Sequence, residues 1–182
     1  FDSKGLAGKN LEEVNMNRRT FIRIVGGGVM FSATAGLAAC SREMPSEEIA
    51  AWQGPKTETD VRKWILSYAI LAPHSHNLQS WLVDLRTPDE IMLYCDLERL
   101  LPETDPYNRQ IMMSHGTFLE LVDIAAREQG LRADIELFPQ GEFGPGKIDN
   151  RPVARVRLIK DPEIAKDPLF REIVKRHTNR EA

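Results

Sequence analysis

Polar side chains crowd into the run Ala72-Pro73-His74-Ser75-His76-Asn77-Leu78-Gln79-Ser80-Trp81. Ser, Asn and Gln present donors and acceptors without charge, which suits the carbonyl and ring-nitrogen edge of a flat heterocycle or a polyol chain. Near the other end stands Arg176-His177-Thr178-Asn179-Arg180, where guanidiniums flank a hydroxyl. Arginine grips phosphate oxygens through a bidentate fork, so this element could cradle a phosphate dianion. Residue types alone leave the commoner origins open: an Asn/Ser loop capping its own backbone, and a solvated basic run.

Other chemistries find less. His74 and His76, with His115 further on, are of metal-ligand type, but no carboxylate or thiolate stands at motif spacing to them, so no metal is expected. His115 falls on an apolar helical stripe and reads as a tucked helix histidine. The cysteines are Cys40 and Cys95, too few for a disulfide scaffold, and Cys95 sits at an inward strand position as inert core. Gly-x-Ser-x-Gly and Gly-x-Gly-x-x-Gly are missing from the sequence. With 24 basic and 27 acidic residues among 182, the net charge is −3, which argues against a nucleic-acid binder.

The polar run lies between elements able to hold it. Thr57 with Asp60 reads as a helix start, followed by Val61, Trp64, Ile65, Tyr68, Ala69 and Ala72 at helical spacing, with Pro73 as the stop. After the run, Trp81–Arg86 and Ile91–Cys95 alternate as strands around the turn Thr87-Pro88-Asp89-Glu90. Leu97–Asp105 reads as a loop and Pro106–Gln129 as a long helix that buries Ile111, Phe118, Leu119, Val122, Ala125 and Ala126 and stops at Gly130. Strands follow at Arg132–Phe138 and Val153–Ile159, then a short helix at Asp167–Arg176. The order predicts an α+β fold with a largely antiparallel sheet flanked by helices.

The first part is a different kind of sequence. The first methionine is Met16, and Asn17-Arg18-Arg19-Thr20-Phe21-Ile22-Arg23 follows it. Ile24–Ala39 carries no charge, is shorter than the roughly 20 residues of a spanning helix, and ends in Leu37-Ala38-Ala39-Cys40. Arg18 and Arg19 resemble a twin-arginine export signal, which implies passage through the Tat translocon. Leu-Ala-Ala-Cys resembles a lipobox, which implies lipidation of Cys40 and a lipid anchor to the membrane. The expected organisation is an unassigned leader (1–15), an export signal peptide (16–39) and a tether (40–57). A folded unit (58–175) and a short final stretch (176–182) complete it. The expected location is exported, periplasmic or at the cell surface. Removing Lys4, Lys9, Arg18, Arg19 and Arg23 with Asp2, Glu12 and Glu13 leaves the remainder more acidic than the whole.

Ala-Pro-x-Ser-x-Asn-x-Gln-x-Trp resembles the flavin loop of the nitroreductase superfamily, and Arg-x-Thr-x-Arg resembles its phosphate element. Leu101-Pro102-Glu103-Thr104-Asp105-Pro106, with Arg109 and Gly116, is similar to the Acg-like subgroup of FMN-binding proteins. The resemblance runs from about Trp64 to Arg180. It departs at Ser80, where proline is usual, and at His74 and His76, where small polar residues are common. It implies a nitroreductase-like fold with FMN as cofactor. His74, Ser75, Asn77 and Gln79 would face the flavin, and Arg176, Thr178 and Arg180 its phosphate, with no catalytic side chain required. It further implies hydride transfer from NAD(P)H to a small electron-poor acceptor, or a non-catalytic protein that binds and sequesters flavin. In ordinary homodimeric nitroreductases the arginine element precedes the loop, whereas here it follows. That order matches the Acg-like pattern of two units fused in one chain, with Arg-x-Thr-x-Arg opening the second.

Overall fold

The computed structural model describes residues 49–55 and 57–178. Arg18, Arg19, Cys40 and Arg180 lie outside the described residues.

Four strands form one antiparallel sheet: β1 (Trp81–Asp84), β2 (Glu90–Cys95), β3 (Leu131–Leu137) and β4 (Ala154–Lys160), in the order β1-β2-β4-β3. The expected hairpin is present, with Trp81 opposite Cys95 and Val83 opposite Leu93. Strand alternation sends Ile91, Leu93 and Cys95 of β2 and Ala154, Val156 and Leu158 of β4 into the core. The opposite face carries charge in register. Asp134 pairs with Arg157 at 2.8 Å and Glu136 with Arg155, each directly across the β3–β4 ladder.

Two helices supply the rest of the core. α1 (Val61–Ala69) packs on α2 (Arg109–Glu128), and α2 packs on β3. Ile111, Phe118, Leu119, Val122, Ala125 and Ala126 are all buried, as the spacing predicts. The α+β reading and the antiparallel sheet hold.

Several boundaries move, each for a local reason. Asp60 itself caps α1 by accepting the Arg62 N–H at 2.9 Å, while Thr57 lies outside the helix. The long helix begins at Arg109 rather than Pro106, because Asn108 takes a left-handed φ of 55°. Asp105 reaches over that kink and accepts the Arg109 N–H at 2.9 Å and the Ile111 N–H at 3.0 Å. The stretch Leu97–Asp105 is not wholly a loop, since Asp96 caps a 3-10 turn over Leu97–Arg99. The C-terminal helix is a 3-10 turn, Pro168–Glu172, capped by Asp167 through Leu169 N–H. At five residues it is too short to sustain α-helical propagation by itself.

What holds that turn is aromatic packing. Phe170 stacks on Trp64 with centroids 5.8 Å apart and meets Tyr68 at 4.8 Å. The end of the polar stretch expected to serve as a tether joins the same corner. Ala50–Gln53 forms a 3-10 turn, and Ala51 and Trp52 pack on buried Leu71, Ile124 and Ile173.

Candidate functional site

The polar run leaves the C-terminal end of α1 and returns to the sheet at Trp81. Within it, Ser75–Asn77 makes a single 3-10 turn. His76, Asn77 and Gln79 all hold left-handed backbone, with φ of 50°, 52° and 51°. Residues other than glycine occupy that region at a cost of about 1–3 kcal/mol each, and they persist only where the surroundings over-determine them. Here α2 does so from one face. Thr117 donates its hydroxyl to the Pro73 carbonyl at 2.9 Å, the Ser75 N–H donates to Ser114 Oγ at 3.1 Å, and Ser75 Oγ donates to Gln110 Oε1 at 3.1 Å. Gln110, Ser114 and Thr117 follow helical i, i+4, i+7 spacing, so one stripe of α2 grips the whole start of the loop.

The far end is held as firmly. Arg99 donates to the Leu78 carbonyl at 3.0 Å while its guanidinium pairs with Asp96 at 3.0 Å. The Asp96 N–H donates to the Ser80 carbonyl at 2.9 Å. Between the ends stands His74, half-buried, its ring edge-on to Trp81 at 4.9 Å. Its Nδ1 lies 2.8 Å from the Ser75 carbonyl, and its Nε2 lies 2.8 Å from Ser80 Oγ and 3.2 Å from the Ser80 backbone N–H. A carbonyl only accepts, so Nδ1 carries the proton and Nε2 receives the Ser80 N–H. Burial pushes the ring below the usual imidazole range, against a smaller opposing effect of the Ser75 carbonyl.

The sequence-predicted residues therefore divide into roles. His74 and Ser75 spend their polar atoms inside the protein. The side chains of Asn77, exposed, and Gln79, half-buried, make no hydrogen bond to another described residue and are the loop's uncommitted amides. Arg176 comes to the same end of α1. Its Nη2 donates to the Leu71 carbonyl at 2.9 Å, and its guanidinium lies over the Trp52 ring at 5.7 Å. Arg176 Nε is buried and has no hydrogen-bond partner among the described residues. Thr178 is exposed, beyond that anchor.

Sequence reasoning missed Gln110, Ser114 and Thr117. The available signal was polar residues at helical spacing on a helix otherwise read for its apolar stripe. It also missed Asp105 as the cap of α2. His115 behaves as read: it is fully buried and its Nδ1 lies 2.8 Å from the Ile111 carbonyl, one turn back. Burial lowers its pKa as well. Cys95 is buried, and desolvation pushes its thiol up to about 12, so it stays protonated and inert at neutral pH. Among the described residues no group of three His, Cys, Asp or Glu could hold a metal ion.

The arrangement offers a shaped loop with neutral donors at its tip and a guanidinium at its base. Uncommitted amides suit a neutral polar ligand edge, and a guanidinium suits an anion. No family model matches the chain. It is 32% identical over 81 residues to "Putative NAD(P)H nitroreductase acg" of Mycobacterium tuberculosis, both in strain CDC 1551 / Oshkosh and in strain ATCC 25618 / H37Rv. The similarity supports a distant tie to the nitroreductases. It covers 44% of this chain and 24% of each relative, so the chain spans about a quarter of the length of the relatives it matches.

Proposed function

We propose that the chain is part of an FMN-binding oxidoreductase of the nitroreductase type. The observation that carries this reading is the clamped loop: α2 holds its start at Pro73 and Ser75, Arg99 and Asp96 hold its end, and the amides left over are those of Asn77 and Gln79, both in left-handed backbone. The partial similarity to a nitroreductase supports the same class. When bound, FMN would supply the hydride chemistry, taking reducing equivalents from NAD(P)H and passing them to a small electron-poor acceptor.

The chain's own residues bind and orient. Asn77 and Gln79 hydrogen-bond the polar edge of the ring and the ribityl chain, and Ser75 keeps the loop seated on Gln110 and Ser114. Arg176 would hold the phosphate, together with Thr178 and Arg180 of the same Arg-x-Thr-x-Arg element. No side chain here serves as general acid or base. Arg18 and Arg19 direct export through the twin-arginine route, Cys40 carries the lipid, and the protein works outside the cytoplasm. Residues 176–182 open a second unit of the same kind in a longer polypeptide.

A visible spectrum of the purified protein after incubation with FMN tests the reading. Retained absorbance near that of bound flavin, bleached by NADPH or NADH, is expected. Retained flavin that neither nucleotide bleaches would replace catalysis with storage, and a protein that takes up no FMN would remove both. In the same assay Arg176→Ala with Arg180→Ala should weaken FMN binding by at least about tenfold, as loss of a charge-assisted phosphate contact requires.

A further inference from the structure

We propose that His74 is a positioning residue whose neutral ring clasps the loop shut by receiving the Ser80 N–H and hydroxyl, so that one proton on Nε2 opens the site. The identity of the ligand rests on the flavin reading above, while the clasp itself rests only on the geometry of the loop.

The argument starts from what each partner can do. The Ser80 hydroxyl is 2.8 Å from Nε2 and can turn to accept, but the Ser80 backbone N–H, 3.2 Å away, is donor only and fixed by the peptide plane. Its movement is restricted, because Ser80 is fully buried and the carbonyl of the same residue is tied to the Asp96 N–H. The other ring nitrogen has no freedom either, since Nδ1–H already donates to the Ser75 carbonyl. A proton on Nε2 would be left with Ser80 Oγ as its acceptor and would meet the Ser80 N–H donor to donor, which disfavours the closed clasp and lets the loop part at Ser80. That parting releases Asn77 and Gln79 from left-handed backbone that costs energy to hold.

Among the described residues no nearby charge rescues the protonated ring. From α2 the facing group is His115, with its ring centroid 6.5 Å away, and a second imidazole opposes rather than welcomes a charge, while Gln110 and Ser114 bond Ser75. From β1 comes the Trp81 ring, and from β2 the Cys95 thiol, which stays protonated. After β2, Asp96 and Arg99 neutralise each other at 3.0 Å, and from the C-terminal segment Arg176 brings a further cation to the Leu71 carbonyl. His76, on the loop itself, is exposed. The ring is therefore held neutral by burial, and the direction of its pKa agrees with the geometry.

Two measurements on the intact chain test this. In the first, without flavin, the imidazole nitrogens of His74 and the backbone amides of the loop are followed by NMR from pH 8 to pH 5. Expected are an unprotonated Nε2 at pH 7, a transition below the ordinary 6.5, and Ser80, Asn77 and Gln79 amide signals that move with it. A Ser80 amide that stays still while His74 titrates would overturn the clasp. In the second, FMN affinity is compared at pH 7.5 and pH 5.5 in the native chain and in His74→Gln, whose amide oxygen can still receive the Ser80 N–H but does not titrate. The FMN phosphate titrates in this range as well, and its contribution is common to both proteins and cancels. The native chain should lose about tenfold more affinity on acidification than the variant, the scale of one buried hydrogen bond lost. An equal loss in both would contradict the proposal. FMN that fails to bind at either pH removes the flavin reading alone, and the NMR titration then decides the clasp.

Discussion

Asn77 and Gln79 sit in backbone that glycine adopts without cost, and this separates their conformational role from their chemical one. Asn77→Gly and Gln79→Gly should leave the loop shape intact and stability unchanged or slightly raised. Each should weaken FMN binding by roughly three- to tenfold, the worth of one neutral hydrogen bond. Isothermal titration with FMN reads this directly, and undiminished affinity in both would take the amides out of the site. His115 makes a second residue-scale prediction. Its folded pKa lies below the ordinary 6.5, so the unfolded chain takes up the proton more readily. Its contribution to stability is complete above that value and is lost as pH falls through it. His115→Leu also removes the orphaned Nε2. Denaturant midpoints should therefore fall less steeply between pH 6.5 and pH 5 in His115→Leu than in the native chain. The identity of these residues as polar loop members was legible in the sequence. Their division into clasp and contact was not, because it depends on φ angles and on a bond between positions 74 and 80 that no periodic pattern encodes.

At the scale of elements, what alternation and helical spacing control was legible and what side-chain reach controls was not. The β1–β2 hairpin and the buried stripe of α2 follow from residue spacing. The start of α2 does not, because Asp105 caps from across a left-handed Asn108 and shifts the first helical residue to Arg109. The clips from Gln110, Ser114 and Thr117 join residues 35, 39 and 44 positions apart, beyond any local window. Asp105→Ala should cost about 1–2 kcal/mol of stability in urea denaturation, as loss of a helix cap does. Because α2 also grips the loop, the same variant should weaken FMN binding. Lost stability with unaltered binding would mean that the loop does not depend on the first turn of α2.

Across the whole molecule, a single antiparallel sheet with two helices brings both ends of the described chain to one corner. The 3-10 turns at Ala50–Gln53 and Pro168–Glu172 meet α1 there, and Arg176 closes on the Leu71 carbonyl, just before the loop. The α+β class was legible from the order of elements. This convergence was not, because Phe170 meets Trp64 and Tyr68 across more than a hundred residues of sequence. It also brings the Arg176 guanidinium to the Leu71 carbonyl, at the start of the polar loop. The most direct test is flavin uptake by the full-length protein that contains this chain, at neutral pH, followed by its visible spectrum after removal of free FMN. A yellow protein with FMN retained in stoichiometric amount is the predicted result. A colourless protein that leaves added FMN fluorescence unquenched would contradict the account at its centre.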